Sequence, residues 1–404
     1  MEEPFKLTVE EFEKFINYIE TEKPTLSVKH GVLGKKDSYQ LNQLLTFKNN
    51  VNTPNSTQDR YQTINLIYQL ALNGKLFYKG SNEKGKPALI ETDIMRSFQS
   101  LNLYEKYVYL QQTYWTHFDL HKMFEGEILL GSIYNLFVLL SSAKPNEKIT
   151  KDIDTGINSI RCFFDGFGIF FHHLRFFGIG QIVEIPNIRS RYDDCIEAFI
   201  PNEFGIKLSN LILHQILMKN FSKIISDGNI VQMLLSRHSI KIEKPFDIFK
   251  NIFPKNLVQN TVISEEKINR SGVYTFKVSL SRNCWRKITT SHQHTLSDLH
   301  FAIQDSFEFD NDHLYAFCFN GNIRTGEAIF PIDTEEYQER NTEETTIEDL
   351  CLYKGQKFIY LFDFGDNWEF SITLEKIEKE ISHPATPIEI NRKGESPEQY
   401  PDWE

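Results

Sequence analysis

The period of the hydrophobic pattern changes along this chain. In the N-terminal part apolar residues recur at helical spacing, interrupted twice by a pair of short extended runs. In the last third they alternate with polar residues, as in half-buried strands. Within residues 61–101, Ile64, Ile67, Tyr68 and Ala71 share one helical face and Asn73-Gly74 ends the helix. "KLFYKG" then reads as a strand, "SNEKGKP" as a turn-rich tip and "ALIE" as a returning strand, with Thr92 placed to cap the next helix. Residues 167–217 repeat the order. A helix ends near Gly178, a strand "QIVEI" follows, then a loop rich in Pro, Arg and Asp, a strand "IEAFI", and a helix starting near Pro201-Asn202. Between the copies, "YEKYVYLQQTYW" and "GSIYNLFVLL" read as core helices.

Helix, strand, exposed tip, strand, helix is the layout of a winged helix, in which the helix before the wing enters the major groove and the wing touches backbone. The first tip offers Lys79, Lys84 and Lys86 to phosphate, and the second offers Arg189 and Arg191. The helices are less suited to a groove. The first presents Arg60, Gln62, Asn65 and Gln69, while the second is crowded by Phe170, Phe171, His172, His173 and Arg175. Contact with DNA and packing against a partner protein both stand as expectations.

The stretch 243–272 loses periodicity and carries two prolines, which marks an inter-domain connection. Beyond it the chain is legible as an α+β domain. Tyr274, Phe276, Val278 and Leu280 alternate with polar residues. "TLSDLHFAIQDSF" puts Thr295 and Asp298 at capping-box spacing, with Leu296, Leu299, Ile303 and Phe307 on one face. "HLYAFCF" is a further strand, and "KFIYLFDF" is apolar on both faces, as a central strand is. After it, "GDN" is turn chemistry in which Gly365 and Asn367 tolerate positive φ, and Trp368, Phe370, Ile372 and Leu374 point one way from the returning strand. The tripeptide Asp363-Phe364-Gly365 also occurs in protein kinases, but this chain has neither a G-x-G-x-x-G nor an H-R-D, so the tripeptide here ends a strand.

The predicted organisation is a helical, winged-helix-like domain over 1–145, a second winged-helix-like domain over 146–245, a linker over 246–270 and an α+β, β-grasp-like domain over 271–404. The length of 404 residues requires more than one core. Charge divides in the same way as the hydrophobic pattern. Residues 261–404 hold 14 Lys and Arg against 27 Asp and Glu, a net −13, so any contact with nucleic acid falls to the N-terminal part and the C-terminal domain is expected to meet a protein. The five cysteines are scattered and never in C-x-x-C, which fits a reducing cytoplasm. The acidic, amphipathic start and the lack of a long apolar run predict no membrane segment.

The series "YTFKVSL", "CWRKI", "TLSDLHFAIQDSF", "NDHLYAF" and "KFIYLFDFGDNWEFSITLEKI", closed by "GESPEQYP", resembles the plasmid pRiA4b ORF-3-like family, which includes an insertion-element passenger protein labelled TnpR. The resemblance covers 271–402 and implies an α+β domain on bacterial, mobile-element-associated proteins, without an established chemistry. It also implies histidines at two positions where this chain has Phe370 and Tyr315.

The candidate ligand or partner site is therefore Trp285, Arg286, His300, His313, Asp363, Asp366 and Trp368. A carboxylate in an apolar strand needs a partner, and Arg286 is expected to give Asp363 a bidentate one. Two readings follow. In the first, the chain is a non-enzymatic binding protein with no catalytic residue, metal or cofactor. In the second, Asp363, Asp366 and His313 hold a divalent metal for hydrolysis of nucleic acid or nucleotide. The absent histidines favour the first. His292 and His294 form a weaker candidate grip.

Overall fold

The structure, a computed structural model, describes residues 3–49, 54–118, 130–154, 160–185, 196–220, 242–262, 271–319, 327–332, 334, 340–350, 352–379 and 382–400. Helix and sheet are mixed, and the class is α+β. The chain forms two units. One comprises Met1–Glu22, Lys35–Phe77 and Glu91–Glu265, and the other Lys23–Gly34, Tyr78–Ile90 and Glu266–Glu404.

The first unit begins with α1 (Pro4–Glu22), which buries Phe5, Val9, Phe12, Phe15, Ile16 and Ile19 at helical spacing. It continues through α2 (Lys35–Leu44) and α3 (Gln62–Asn73). The helix α3 stops where Gly74 lets the chain pass close: a Cβ there would lie 2.9 Å from the carbonyl oxygen of Leu70 and 3.0 Å from Oη of Tyr109. The left-handed φ falls on Lys75 instead. Between α3 and α4 (Asp93–Ser100) the chain passes through the second unit, where the strands β1 (Phe77–Ser81) and β2 (Pro87–Glu91) form a two-stranded sheet. Thr92 stands at the cap position, but its hydroxyl donates to the carbonyl of Lys75 at 2.6 Å rather than capping the helix.

Next comes α5 (Leu103–His117), started by a capping box between Asn102 and Glu105 and buried on several sides by Tyr107, Val108, Leu110, Tyr114 and Trp115. After α6 (Leu130–Ser142) and the single turn α7 (Cys162–Asp165), the order of helix, two-stranded sheet and helix recurs. It is made by α8 (Ile169–Phe176), β3 (Gly180–Glu184) with β4 (Ile196–Pro201), and α9 (Glu203–Ile212). Asn202 caps α9 by accepting from the N–H of Gly205 at 2.7 Å. The short helix α10 (Pro245–Phe249) lies in the stretch expected as a connection. Phe249 is buried, and Phe253 packs on Phe5, Tyr104, Tyr107 and Phe204 with ring centroids 4.8–6.2 Å apart.

In the second unit Lys23–Gly34 joins the first hairpin, with the N–H of Leu26 donating to the carbonyl of Pro87 at 2.8 Å. The rest is a seven-stranded sheet. Its strands are β5 (Val273–Ser279), β6 (Trp285–Ser291), β7 (Tyr315–Phe319), β8 (Glu327–Ile329), β9 (Lys357–Phe362), β10 (Trp368–Glu378) and β11 (Ile388–Lys393), in the spatial order β11-β6-β5-β10-β9-β7-β8. Every pairing is antiparallel. It follows that β6 and β7, with three strands between them, run the same way, and their connection must cross a face of the sheet. The helix α11 (Leu296–Phe307) makes that crossing with its Thr295/Asp298 capping box. Its Leu299, Ile303 and Phe307 close a core with Phe276, Ile288, Phe317, Tyr360, Phe370 and Ile372. The central position of β9, read from its apolar faces, is observed.

Glu105 ties two segments of the first unit. Burial pushes its carboxyl up, but N–H donors from Asn102, Asn260 and Gln259 outweigh that and leave it below the ordinary carboxylate range. These donors lie 2.7–3.1 Å away. Glu105→Gln turns an amide donor toward them and is expected to lower stability by about 1–3 kcal/mol in urea denaturation. The wild-type contribution is lost as pH falls through the carboxylate range.

Candidate functional site

The seven candidate residues of the C-terminal domain divide among three places. Arg286, on β6, is fully buried and forms the first. Its Nε donates to the carbonyl of Ser306 at 2.7 Å, and Nη1 to the carbonyls of Trp285, Lys393 and Gly394 at 3.1–3.3 Å. Nη2 donates to Oγ of Ser396 at 2.8 Å, and the guanidinium carbon sits 4.5 Å from the centroid of Phe307. Ser306 lies in the last turn of α11, where the helix dipole is negative, so carbonyls take the place of a counter-ion. The expected Arg286–Asp363 pair is not made. The guanidinium is spent on backbone. Beside it Trp285 turns to the other face of the sheet, with Nζ of Lys277 and Lys287 at 4.8 and 5.7 Å from its ring.

The second place surrounds His300, which is buried on α11. Its Nε2 lies 2.7 Å from Oδ1 of Asn311, and its Nδ1 2.7 Å from the Tyr360 hydroxyl. Gln304 donates its amide to the same hydroxyl at 2.7 Å. An acceptor at Asn311 puts the proton on Nε2. Nδ1 then accepts from Tyr360, and Tyr360 accepts from Gln304. This chain of donors holds only a neutral ring. Burial, against the opposing hydrogen bond to Asn311, pushes the histidine down to about 4. Tyr315 stacks on it with centroids 3.6 Å apart and planes 2° from parallel.

The third place is the turn between β9 and β10. Asp363 takes a φ of 52° and Asn367 one of 58°, whereas Gly365 does not adopt a positive φ. The Asp363 side chain supports its own strained backbone: Oδ1 accepts from the N–H of Gly365 at 2.8 Å and of Asp366 at 3.3 Å. The N–H of Asn367 closes the turn on the carbonyl of Asp363 at 2.7 Å. The other oxygen, Oδ2, lies 3.4 Å from Nε2 of His313, whose ring is also 3.8 Å from Oδ1 of Asp312. Asp366 is exposed at the tip. Trp368 packs edge-on against Phe309, 4.9 Å away.

The tail residues Gln399 and Tyr400 complete this corner. The hydroxyl of Tyr400 donates to the carboxylate of Asp312 at 2.6 and 2.7 Å, and the Gln399 amide bridges to the carbonyl of Asp310 at 3.1 Å. The hydrogen bond holds Asp312 below the ordinary carboxylate range and pushes Tyr400 up to about 12. Among the described residues no group of three or more His, Cys, Asp or Glu is arranged to hold a metal ion. The two positions where the resemblance implies histidines carry the Tyr315 stack and the core ring of Phe370. His292 and His294 close the end of the sheet: the N–H of Ser291 donates to Nδ1 of His294 at 3.1 Å, and the rings of His292 and His383 are 4.8 Å apart.

In the N-terminal part, Lys84 and Lys86 are exposed on the tip between β1 and β2, Lys79 is half-buried, and Arg189 and Arg191 lie outside the described residues. The helices before the two hairpins are covered. In α3, Ile64, Leu66, Ile67, Tyr68, Leu70 and Ala71 are buried and the polar positions are half-shielded. In α8, Phe170, Phe171, His172, His173, Leu174 and Phe176 are all buried. Among the described residues no helix is long and apolar enough to cross a membrane.

The fold and site define an antiparallel α+β domain whose polar candidates are largely turned onto its own backbone. Residues 272–399 match the family described as plasmid pRiA4b ORF-3-like protein, and the C-terminal third of the chain carries a domain of that kind. Among curated proteins, the uncharacterized protein y4hQ of Sinorhizobium fredii is 30% identical over 94 residues, which is 22% of this chain and 45% of that relative. The chain thus spans less than half the length of this relative. Among solved structures, the protein of unknown function MM3350 from Methanosarcina mazei Go1 is 28% identical, matching 31% of this chain and 71% of its own, with a TM-score of 0.25.

Arg286→Lys keeps the charge but loses the planar fork, leaving carbonyls unpaired. It is expected to lower unfolding stability by about 3 kcal/mol in urea titration. For His300, the unfolded ring takes up a proton near its ordinary value of 6.5, while the folded ring resists until about 4. Its contribution is complete above that ordinary value and declines as pH falls toward 4. Urea midpoints measured across this range should fall for the wild type and fall less steeply for His300→Gln.

Proposed function

We propose that this chain is a non-enzymatic binding protein that works through protein contacts rather than through DNA or hydrolysis. The observation that carries this reading is the use made of the polar candidates. Arg286 is committed to four backbone carbonyls and a hydroxyl, His300 to a buried chain of donors, and Asp363 to the amides of its own turn. Such groups are oriented by the fold and are not left facing a substrate.

The two helix–hairpin–helix orders support winged-helix-like units used as scaffolds. A helix that reads a groove needs an exposed polar face, whereas the polar positions of α3 are half-shielded and α8 is buried along nearly its whole length. The partner most consistent with the surface is a basic protein. The net −13 of residues 261–404 favours it, with Asp310, Asp312 and Asp366 exposed at one corner of the sheet.

The reading is tested by titrating labelled mixed-sequence duplex and single-stranded DNA with the full chain across a salt series, with and without Mg²⁺ or Mn²⁺. Anisotropy and product size are both followed. The expected outcome is neither salt-dependent binding nor cleavage. Binding that falls steeply with salt would place Lys84 and Lys86 on phosphate and overturn the protein-contact reading. Cleavage lost in Asp363→Asn would overturn the non-enzymatic one.

A further inference from the structure

Among the described residues the outermost strand β11 is bonded along one edge only, to β6, and it is solvated on both faces. Of its six residues only Glu389 is half-covered; Ile388 is 49% and Ile390 57% exposed. An edge strand with two bare isoleucines presents its outward backbone donors and acceptors for pairing. Its charges are ordered. Arg392 reaches Glu389 at 2.6 and 2.8 Å, because a bulge between Glu389 and Asn391 turns both to the same face, and it lies 3.6 Å from Glu308.

We propose that β11 pairs with β11 of a second copy of this chain, antiparallel about a twofold axis between Ile390 and Asn391. This register sets Glu389 of each copy across from Arg392 of the other, and Ile388 across from Lys393, whose methylenes cover it. The two Ile390 side chains flank the axis. The contact is self-complementary, as closed twofold symmetry requires. The alternatives are worse: in-register parallel pairing sets Glu389 on Glu389 and Arg392 on Arg392, and a slip of two residues moves Glu389 onto Ile390 or Gly394. The bulge and the charges, which discourage indiscriminate pairing of an edge, thereby select one partner.

Sedimentation velocity of the full chain over a concentration series tests this. The wild type is expected to pass from 47.4 kDa to twice that mass. Arg392→Glu sets two like-charge pairs across the axis and should weaken the dimer about tenfold or more. The exchange of Glu389→Arg with Arg392→Glu restores opposite charges and should recover most of that loss. Ile390→Glu alters the bulged residue, which has no ladder partner on β6, and should also give monomer while the circular dichroism spectrum is kept. The proposal is overturned by a wild type that stays monomeric at about 100 μM, or by Arg392→Glu and Ile390→Glu variants that dimerise as the wild type does.

Discussion

The C-terminal domain depends on one buried cation. A guanidinium taken out of water needs compensation on its donors, and here it comes from four backbone carbonyls and one hydroxyl. The oxygens belong to the end of α11 and to the chain leaving β11, so Arg286 fixes the helix and the tail that follows the edge strand at one point. With Phe307 against one face of the guanidinium, the surroundings are apolar over that face and polar along the plane of the donors. A carboxylate partner would have bound Arg286 to one side chain. Carbonyls bind it to three stretches of backbone.

The same economy governs the turn and the helix. Asp363 occupies a backbone region that residues other than glycine enter at a cost, and its own side chain offsets that cost with two amide hydrogen bonds. His300, Tyr360 and Gln304 form a line of hydrogen bonds through the core, under the stacked ring of Tyr315. The polar residues that stand out in the sequence are largely the means by which a single helix is registered on a seven-stranded sheet.

Much of this domain was legible from periodicity. The alternation in β5 and in β10, the doubly apolar β9, and the Thr295/Asp298 box at the start of α11 each depend on neighbours in sequence, and each is found. What was not legible depends on distant backbone. No residue type announces a free carbonyl, so Arg286 was matched to the nearest unpartnered charge, Asp363. The role of Gln399 and Tyr400 was hidden for the same reason, since Asp310 and Asp312 lie nearly ninety residues earlier. In α3 the polar positions Gln62, Asn65 and Gln69 were the main candidates on a helix already poorly suited to a groove. The packing that half-shields them comes from several separate segments, which no local pattern reveals.

The second unit is assembled from three pieces of chain, Lys23–Gly34, Tyr78–Ile90 and Glu266–Glu404. During synthesis the first two leave the ribosome well before the strands they join, while Met1–Glu22 and Lys35–Phe77 find their own neighbours much sooner. The early segments must wait without their sheet until the last third of the polypeptide emerges. Completion of this unit therefore waits for the residues after 265, and a polypeptide stopped near residue 260 would carry two early segments without the strands they pack with.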